Sequence, residues 1–291
     1  MTSASDEQAQ SGTGRFRDVV DVHLLDESLL VAARVARAPG EASARAMALV
    51  VDEGTIAADV NEEVEGGIPS WDGASAGPLR FETNDPLERW TLALDAAGAR
   101  VEVDLTAVTP AADLAEPATA AIARAAGVRR YAHLCEARGT AEIAGRRRSI
   151  ETAAIRTHHW GPVGEGGRAR FVTVVTEEGL LLTVAAVRPP GAAAHGEELL
   201  GAYSARAGDA EGDALPFETV RLSTVFAADG QPSTLGAELF RPGEELPSRL
   251  AGVAAGGAAD TSNGARTSLS LFRFRLDGVP ALGAYEIEES T

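Results

Sequence analysis

Short apolar runs that end on glycine-containing turns recur along nearly the whole chain, and this rhythm restricts it to antiparallel β-structure. The clearest case is residues 268–276, then Asp277-Gly278, then residues 279–287. An Asp-Gly pair supplies the two positive-φ positions of a type I′ turn, whose twist matches that of the flanking strands. The same plan returns in 131–143 and 147–160 around Ala144-Gly145-Arg146, in 171–177 and 180–187 around Glu178-Gly179, and in 89–94 and 99–106 around residues 95–98. Residues 29–33, 46–51, 79–83, 217–227 and 237–241 read as further strands. About a dozen or more strands at near-regular spacing predict sandwiches or up-and-down barrels, an all-β fold with few short helices.

Composition divides the chain. Residues 1–14 are small and polar and read as a disordered tail. Residues 107–127 turn to Ala and Pro without β-branched density, and 118–126 read as a short helix. That interruption places a domain boundary at residue 117, between a barrel over 15–117 and a second over 118–291. Residues 61–78 (acidic, with Gly and Pro) and 189–214 read as loops, and the Gly/Ala-rich 242–266 as a mobile one.

With 45 % apolar residues the chain can bury a real core, and its net charge of −17 disfavours nucleic acid and anionic membrane surfaces as partners. No apolar run reaches the roughly 18 residues of a membrane span. The amino terminus lacks the basic start and apolar core of a secretory signal, and the single cysteine, Cys135, excludes an internal disulfide framework. A cytoplasmic protein is expected. No G-x-G-x-x-G, P-loop, zinc spacing or G-x-S-x-G is present, so no cofactor is expected.

The segment Arg156-Thr-His-His-Trp-Gly161 is where chemistry concentrates. In a strand over 149–160, Arg156, His158 and Trp160 point one way and Thr157 and His159 the other. Adjacent strand histidines do not chelate one metal, so no metal site is expected. A two-residue turn at Ala144-Gly145 sets Tyr131 opposite His158 and His133 opposite Arg156. A turn at Gly145-Arg146 sets His133 opposite His158 and Tyr131 opposite Trp160. Either register gathers Tyr131, His133, Arg156, His158 and Trp160 on one face, with Cys135; a three-residue loop breaks the cluster. Such a face fits a ligand cavity with proton-transfer capacity beside an aromatic wall, or a hydrogen-bonded internal network, or a strand end at a barrel rim. Trp90 reads as core, Trp71 as a cap on a barrel mouth, and His23 and His195 as isolated.

These residues resemble the carotenoid 1,2-hydratase family and the related AttH-like proteins. That family carries a segment of the form G-x-R-D-H-x-W-G after a hairpin rich in His and Gly, and residues 154–162 follow the pattern. The hairpin from Tyr131 to Gly139, the closing strands around Phe272 and Tyr285, and Asp85-Pro-Leu-Glu-Arg-Trp90 are similar to the family's as well. The resemblance implies two lipocalin-like β-barrels in tandem. It also implies acid-catalysed hydration, dehydration or cyclisation of an isoprenoid alkene, such as a terpene or carotenoid. It carries the catalytic role to His158 and Trp160, with Tyr131, His133 and Arg156 expected to bind substrate, a small hydrophobic molecule. Two departures stand out: the motif's acid is Thr157 here, and the Tyr-x-Asp expected near 185–188 is Ala185-Ala-Val-Arg188. Glu136, Glu142 and Glu286 are the candidate replacements. Without an acid, a carrier of an apolar metabolite or a barrel that preorganises a polyketide for pericyclic closure fits the same residues.

Overall fold

The computed structural model describes residues 2–12, 16–38, 42–116, 119–162, 167–189, 191–192, 199–207, 215–262 and 265–290. Two compact units emerge from it. One joins Met1–Ala111 with Arg130–Pro162; the other joins Ala112–Arg129 with Val163–Thr291. Each is a nearly closed antiparallel β-barrel, and a single short helix completes the described secondary structure besides one 3₁₀ turn.

In chain order the strands are β1 (Phe16–Leu25), β2 (Leu29–Arg37), β3 (Ser43–Asp52), β4 (Thr55–Glu65), β5 (Ala74–Ala76), β6 (Leu79–Asp85), β7 (Arg89–Ala96) and β8 (Ala99–Ala107). The short β9 (Ala112–Asp113) and the helix α1 (Ala120–Ala126) precede β10 (Arg129–Ile143) and β11 (Arg146–Pro162). The first barrel runs β4-β3-β2-β1-β11-β10-β8-β7-β6-β5, and β5 comes back against β3. The β10–β11 hairpin therefore fills the gap between β1 and β8, with Val20 opposite His158 on one side and Gly139 opposite Val103 on the other.

This differs from the division expected at residue 117. The compositional break marks a real excursion through β9 and α1. The chain then returns, because without β10 and β11 the edges of β1 and β8 would present unpaired backbone groups.

The second barrel comprises β12 (Arg168–Thr176), β13 (Leu180–Arg188), β14 (Leu199–Arg206), β15 (Leu215–Phe217), β16 (Thr219–Phe226), β17 (Pro232–Phe240), β18 (Ser248–Ser262), β19 (Ala265–Leu276) and β20 (Val279–Ser290). Its order is β15-β14-β13-β12-β20-β19-β18-β17-β16, with β16 returning to β14. Asp277 and Gly278 take φ of 50° and 86°, as the type I′ turn requires.

Three stretches read as loops carry strands. The acidic 61–78 contributes the end of β4 and all of β5; β4 is largely exposed, so its charges face solvent on an edge strand. Residues 248–262 form the 15-residue β18. Small side chains serve there because Phe272 and Phe274 lie across the strand: a Cβ on Gly252 would sit 2.3 Å from the Phe274 ring. Within 189–214, β14 is a strand, whereas 193–198, with His195, and 208–214 lie outside the described residues. No described helix is long and apolar enough to cross a membrane.

Candidate active site

The turn between β10 and β11 is the two-residue Ala144-Gly145, with φ of 49° and 77°. That tight turn and the two-residue period of strands set the site. Tyr131 and His158 lie side by side at 5.6 Å between ring centroids, and His158 and Trp160 at 4.9 Å. Tyr131, His133, Arg156, His158 and Trp160 are all buried within the first barrel, as the sequence places them on one face. Trp90 on β7 joins them, 5.2 Å from His133, with the Arg156 guanidinium 4.5 Å from its ring centroid. Trp71 is buried rather than capping a rim, 5.9 Å from His158.

Sequence reasoning missed the acids. The amino-terminal segment is not a free tail: it forms a 3₁₀ turn over Ala4–Glu7 and buries the Glu7 side chain to 1 % exposure. Arg156 clamps that carboxylate with both terminal nitrogens, Nη1 to Oε1 at 3.0 Å and Nη2 to Oε2 at 2.7 Å. The Tyr131 hydroxyl donates to Oε1 at 2.5 Å and Trp90 Nε1–H to Oε2 at 3.0 Å.

The second acid is Asp18 on β1. His158 Nε2 meets its Oδ1 at 2.7 Å, while Oδ2 accepts from Gln10 N–H (2.7 Å), Arg37 (3.1 Å) and Trp71 Nε1–H (3.1 Å). The candidate acids named from sequence lie elsewhere. Glu136 pairs with Arg138, Glu142 is exposed, and Glu286 belongs to the second unit.

These contacts form a chain Asp18–His158–Tyr131–Glu7–Arg156. Facing a carboxylate, His158 Nε2 carries the proton, which turns Nδ1 toward the Tyr131 hydroxyl at 3.1 Å. That hydroxyl has one proton, and its shorter contact is to Glu7. The three contacts Asp18–His158, His158–Tyr131 and Tyr131–Glu7 are hydrogen bonds together only when the chain holds three protons. Neutral His158 and Tyr131 supply two. The third makes His158 an imidazolium that donates from both nitrogens.

Burial is the largest influence on His158 and lowers its pKa from the usual 6.5, against the pull of Asp18. An imidazolium there is a stronger acid than one in water. Burial alone would raise the Glu7 pKa, but Arg156 and the bonds from Tyr131 and Trp90 hold it below the usual 4.5. Burial also pushes the Tyr131 pKa well above 10.0.

His133 is held in one tautomer. Its Nδ1 faces the Thr109 carbonyl at 3.2 Å and so carries the hydrogen, which leaves Nε2 as a lone pair with no hydrogen-bond partner among the described residues. Burial first, and Arg156 second, lower its pKa to about 4, so it is neutral at physiological pH. Burial pushes the Cys135 thiol up to about 12, which makes it a packing residue rather than a nucleophile.

Thr157 and His159 face the other way, as alternation requires. Thr157 donates to Asp21 at 3.1 Å, His159 lies 3.6 Å from Asp21, and Arg34 pairs with Asp21 at 3.2 Å.

Two nearly closed antiparallel barrels in one chain are the tandem lipocalin-like architecture. The chain belongs to the family described as "Domain of unknown function (DUF7064)", which it matches over residues 18–291. The structure is similar to a protein of Nitrosomonas europaea assigned as AttH, at 13 % identity and a TM-score of 0.63, over 95 % of this chain and 93 % of that one. It is similar to kievitone hydratase from Nectria haematococca, at 11 % identity and a TM-score of 0.65, over 99 % and 92 %. It also resembles CghA in complex with Sch210972, at 14 % identity and a TM-score of 0.58, over 94 % and 87 %. At such identities the likeness establishes the fold. No curated protein sequence matches the chain.

Proposed function

We propose that the chain is a lyase- or cyclase-type enzyme that protonates an alkene of a small hydrophobic, isoprenoid-like substrate, with hydration, dehydration or cyclisation as the outcome. The observation that carries this reading is His158, fully buried, held between Asp18 and Tyr131 with the Trp160 ring beside it. A desolvated imidazolium supplies the acid that Thr157 cannot. The hydratase named among the similar structures is in keeping with this reaction class.

In the protonated state of His158 the Tyr131 O–H turns from Glu7 to the substrate and gives its proton to one alkene carbon, while the Tyr131 oxygen takes the Nδ1 proton of His158. A C–H bond forms, the π bond breaks, and a cation develops on the neighbouring carbon. The faces of Trp160 and Tyr131 stand in for water around that cation; such a contact contributes on the order of 2 kcal/mol when desolvated, one part of a much larger barrier reduction. For hydration, a water oxygen bonds to the cation and its proton goes to His133 Nε2. Dehydration runs the same steps in reverse. For cyclisation, a second double bond attacks and a neighbouring C–H proton leaves to the same nitrogen. Incubation of the purified protein with a panel of prenyl alcohols and terpenes tests the reading. Turnover that is lost in His158→Ala and Trp160→Ala is expected; turnover retained in both variants would sink the assignment.

A second reading, a non-catalytic binder, is favoured by one observation: Glu7, Arg156, Tyr131, His158 and Asp18 satisfy one another in a chain of contacts, as a structural network would. A co-purified apolar ligand in native mass spectrometry, released unchanged, would support it over the enzyme.

A further inference from the structure

We propose that Arg156, Tyr131 and Trp90 form a carboxylate-binding site and that Glu7 fills it as an internal ligand, so that a carboxylate on an incoming apolar molecule competes with the amino-terminal segment. This does not rest on the proton-transfer reading, because it concerns who occupies the donor set rather than what His158 does.

The site is built by the barrel. Its three donors come from three strands, β11, β10 and β7, and converge on one oxyanion with four hydrogen bonds of 2.5–3.0 Å. The guanidinium fork suits a planar carboxylate, and stacking on Trp90 fixes its plane before any carboxylate arrives. Arg156 is 2 % exposed, so without an anion it would be a buried, uncompensated cation. The donor set therefore requires an occupant with a negative charge.

The occupant comes from the amino-terminal segment. Among residues 2–12, Glu7 is the one buried side chain. The turn around it is self-contained: the Asp6 carboxylate accepts from Ser3 N–H at 2.8 Å and from the Ser3 hydroxyl at 2.9 Å, and Asp6 N–H returns to the Ser3 carbonyl at 2.9 Å. Beyond Glu7, the segment is held by the Gln10 N–H bond to Asp18 and by the Tyr131 hydroxyl 3.5 Å from the Asp6 carbonyl oxygen, with Ala9 packed against the core. A preformed turn that presents one carboxylate to a rigid donor set has the form of a tethered ligand. The competing molecule would carry its carboxylate on an apolar body, since aromatic rings surround the donors: Trp90 beside Arg156, and His133 and Trp160 beside Tyr131. A substrate carboxylate in that position would accept the Tyr131 proton as Glu7 does.

Chemical rescue of full-length Glu7→Ala tests this. Thermal melts are compared in sodium propionate, in sodium chloride of equal ionic strength, and in propionamide. Propionate should raise the Tm of Glu7→Ala, by roughly 2–5 °C at ten times its dissociation constant, and leave the wild type level with its chloride control. Propionamide should do neither, and Arg156→Met added to Glu7→Ala should abolish the rescue. No rise over chloride, an equal rise in the wild type, or an equal rise with the amide overturns the proposal. Should Glu7→Ala not fold, Glu7→Gln keeps the shape and removes the charge. It should bind a fluorescent polyene fatty acid at least about tenfold more tightly than the wild type and show no such gain for the methyl ester. Equal affinities of variant and wild type for the acid overturn the proposal there.

Discussion

The two barrels share one architecture and differ in what they enclose. Both bring neighbouring strands into close approach at a glycine: a Cβ on Gly139 would lie 2.0 Å from the Glu102 carbonyl oxygen, and one on Gly283 would lie 2.1 Å from that of Thr173. The second unit closes around Val172, Leu182, Leu239, Phe272, Phe274 and Tyr285, with the Phe272 and Phe274 rings stacked at 5.3 Å. Its interior polar contacts include Arg170 on the hydroxyls of Tyr285 and Thr224. The first unit instead buries Glu7, Asp18, Arg156 and His158 in one network. Four of the five histidines fall within it, and the fifth, His195, lies outside the described residues. The second barrel thus closes largely on apolar and aromatic packing, although it too buries charged side chains, among them Arg170, Asp260 and Glu286. Buried ion pairs are weak stabilisers against apolar replacements of the same volume, so the network of the first barrel is not what closes the fold.

That contrast can be broken by mutation. Glu7→Ala leaves Arg156 buried without its counter-charge and should cost about 3–5 kcal/mol of stability in chemical denaturation. A loss no larger than that of a surface substitution would mean that the network is solvated and the contrast with the second barrel is false.

Acidification should act on the first barrel next. His133 has a pKa of about 4 in the folded chain against an ordinary 6.5, so the unfolded chain binds more protons between those values. Stability from this group is full above pH 6.5 and is lost as the pH falls toward 4, a change of about 3 kcal/mol. The depressed His158 pKa acts in the same direction. His133→Gln should flatten the pH dependence of denaturation over that window without removing it. An unchanged slope would show that His133 is not buried as described.

Smallest is the change inside the second barrel. Tyr285→Phe removes a hydroxyl that lies 2.9 Å from that of Thr224 and should cost about 1 kcal/mol. A loss as large as that of Glu7→Ala would erase the difference between the two interiors.

Much of the site's face could be read from residues alone. Alternation along β11 and the tight Ala144-Gly145 turn together put Tyr131, Arg156, His158 and Trp160 on one wall, since both are local rules. Glu7 could not be reached that way. It meets Arg156 across 149 positions of sequence, from a Ser/Gln-rich stretch that has no strand pattern. Only the Ser3–Asp6 spacing hinted at a capped turn. Asp18 left a better signal: an acid in register with Val20, Val22 and Leu24 on a strand buried on both faces. The Gly/Ala-rich 248–262 misled in the other direction, because small residues that fit beneath aromatic rings have the same composition as a loop. The hairpin's place in the first barrel was hidden too, since β10 follows the compositional break that suggested a new domain.

If His158 is the source of the proton delivered to carbon inside the first barrel, solvent isotope must enter the product. Hydration or cyclisation of terpenes in D₂O, read by mass spectrometry of the product, follows that proton. One deuterium at the former alkene carbon is expected with the wild type, incorporated faster as the pH falls through the lowered His158 pKa, and none with His158→Ala. Deuterium incorporated equally by His158→Ala, or product formed by the wild type without deuterium, would contradict it.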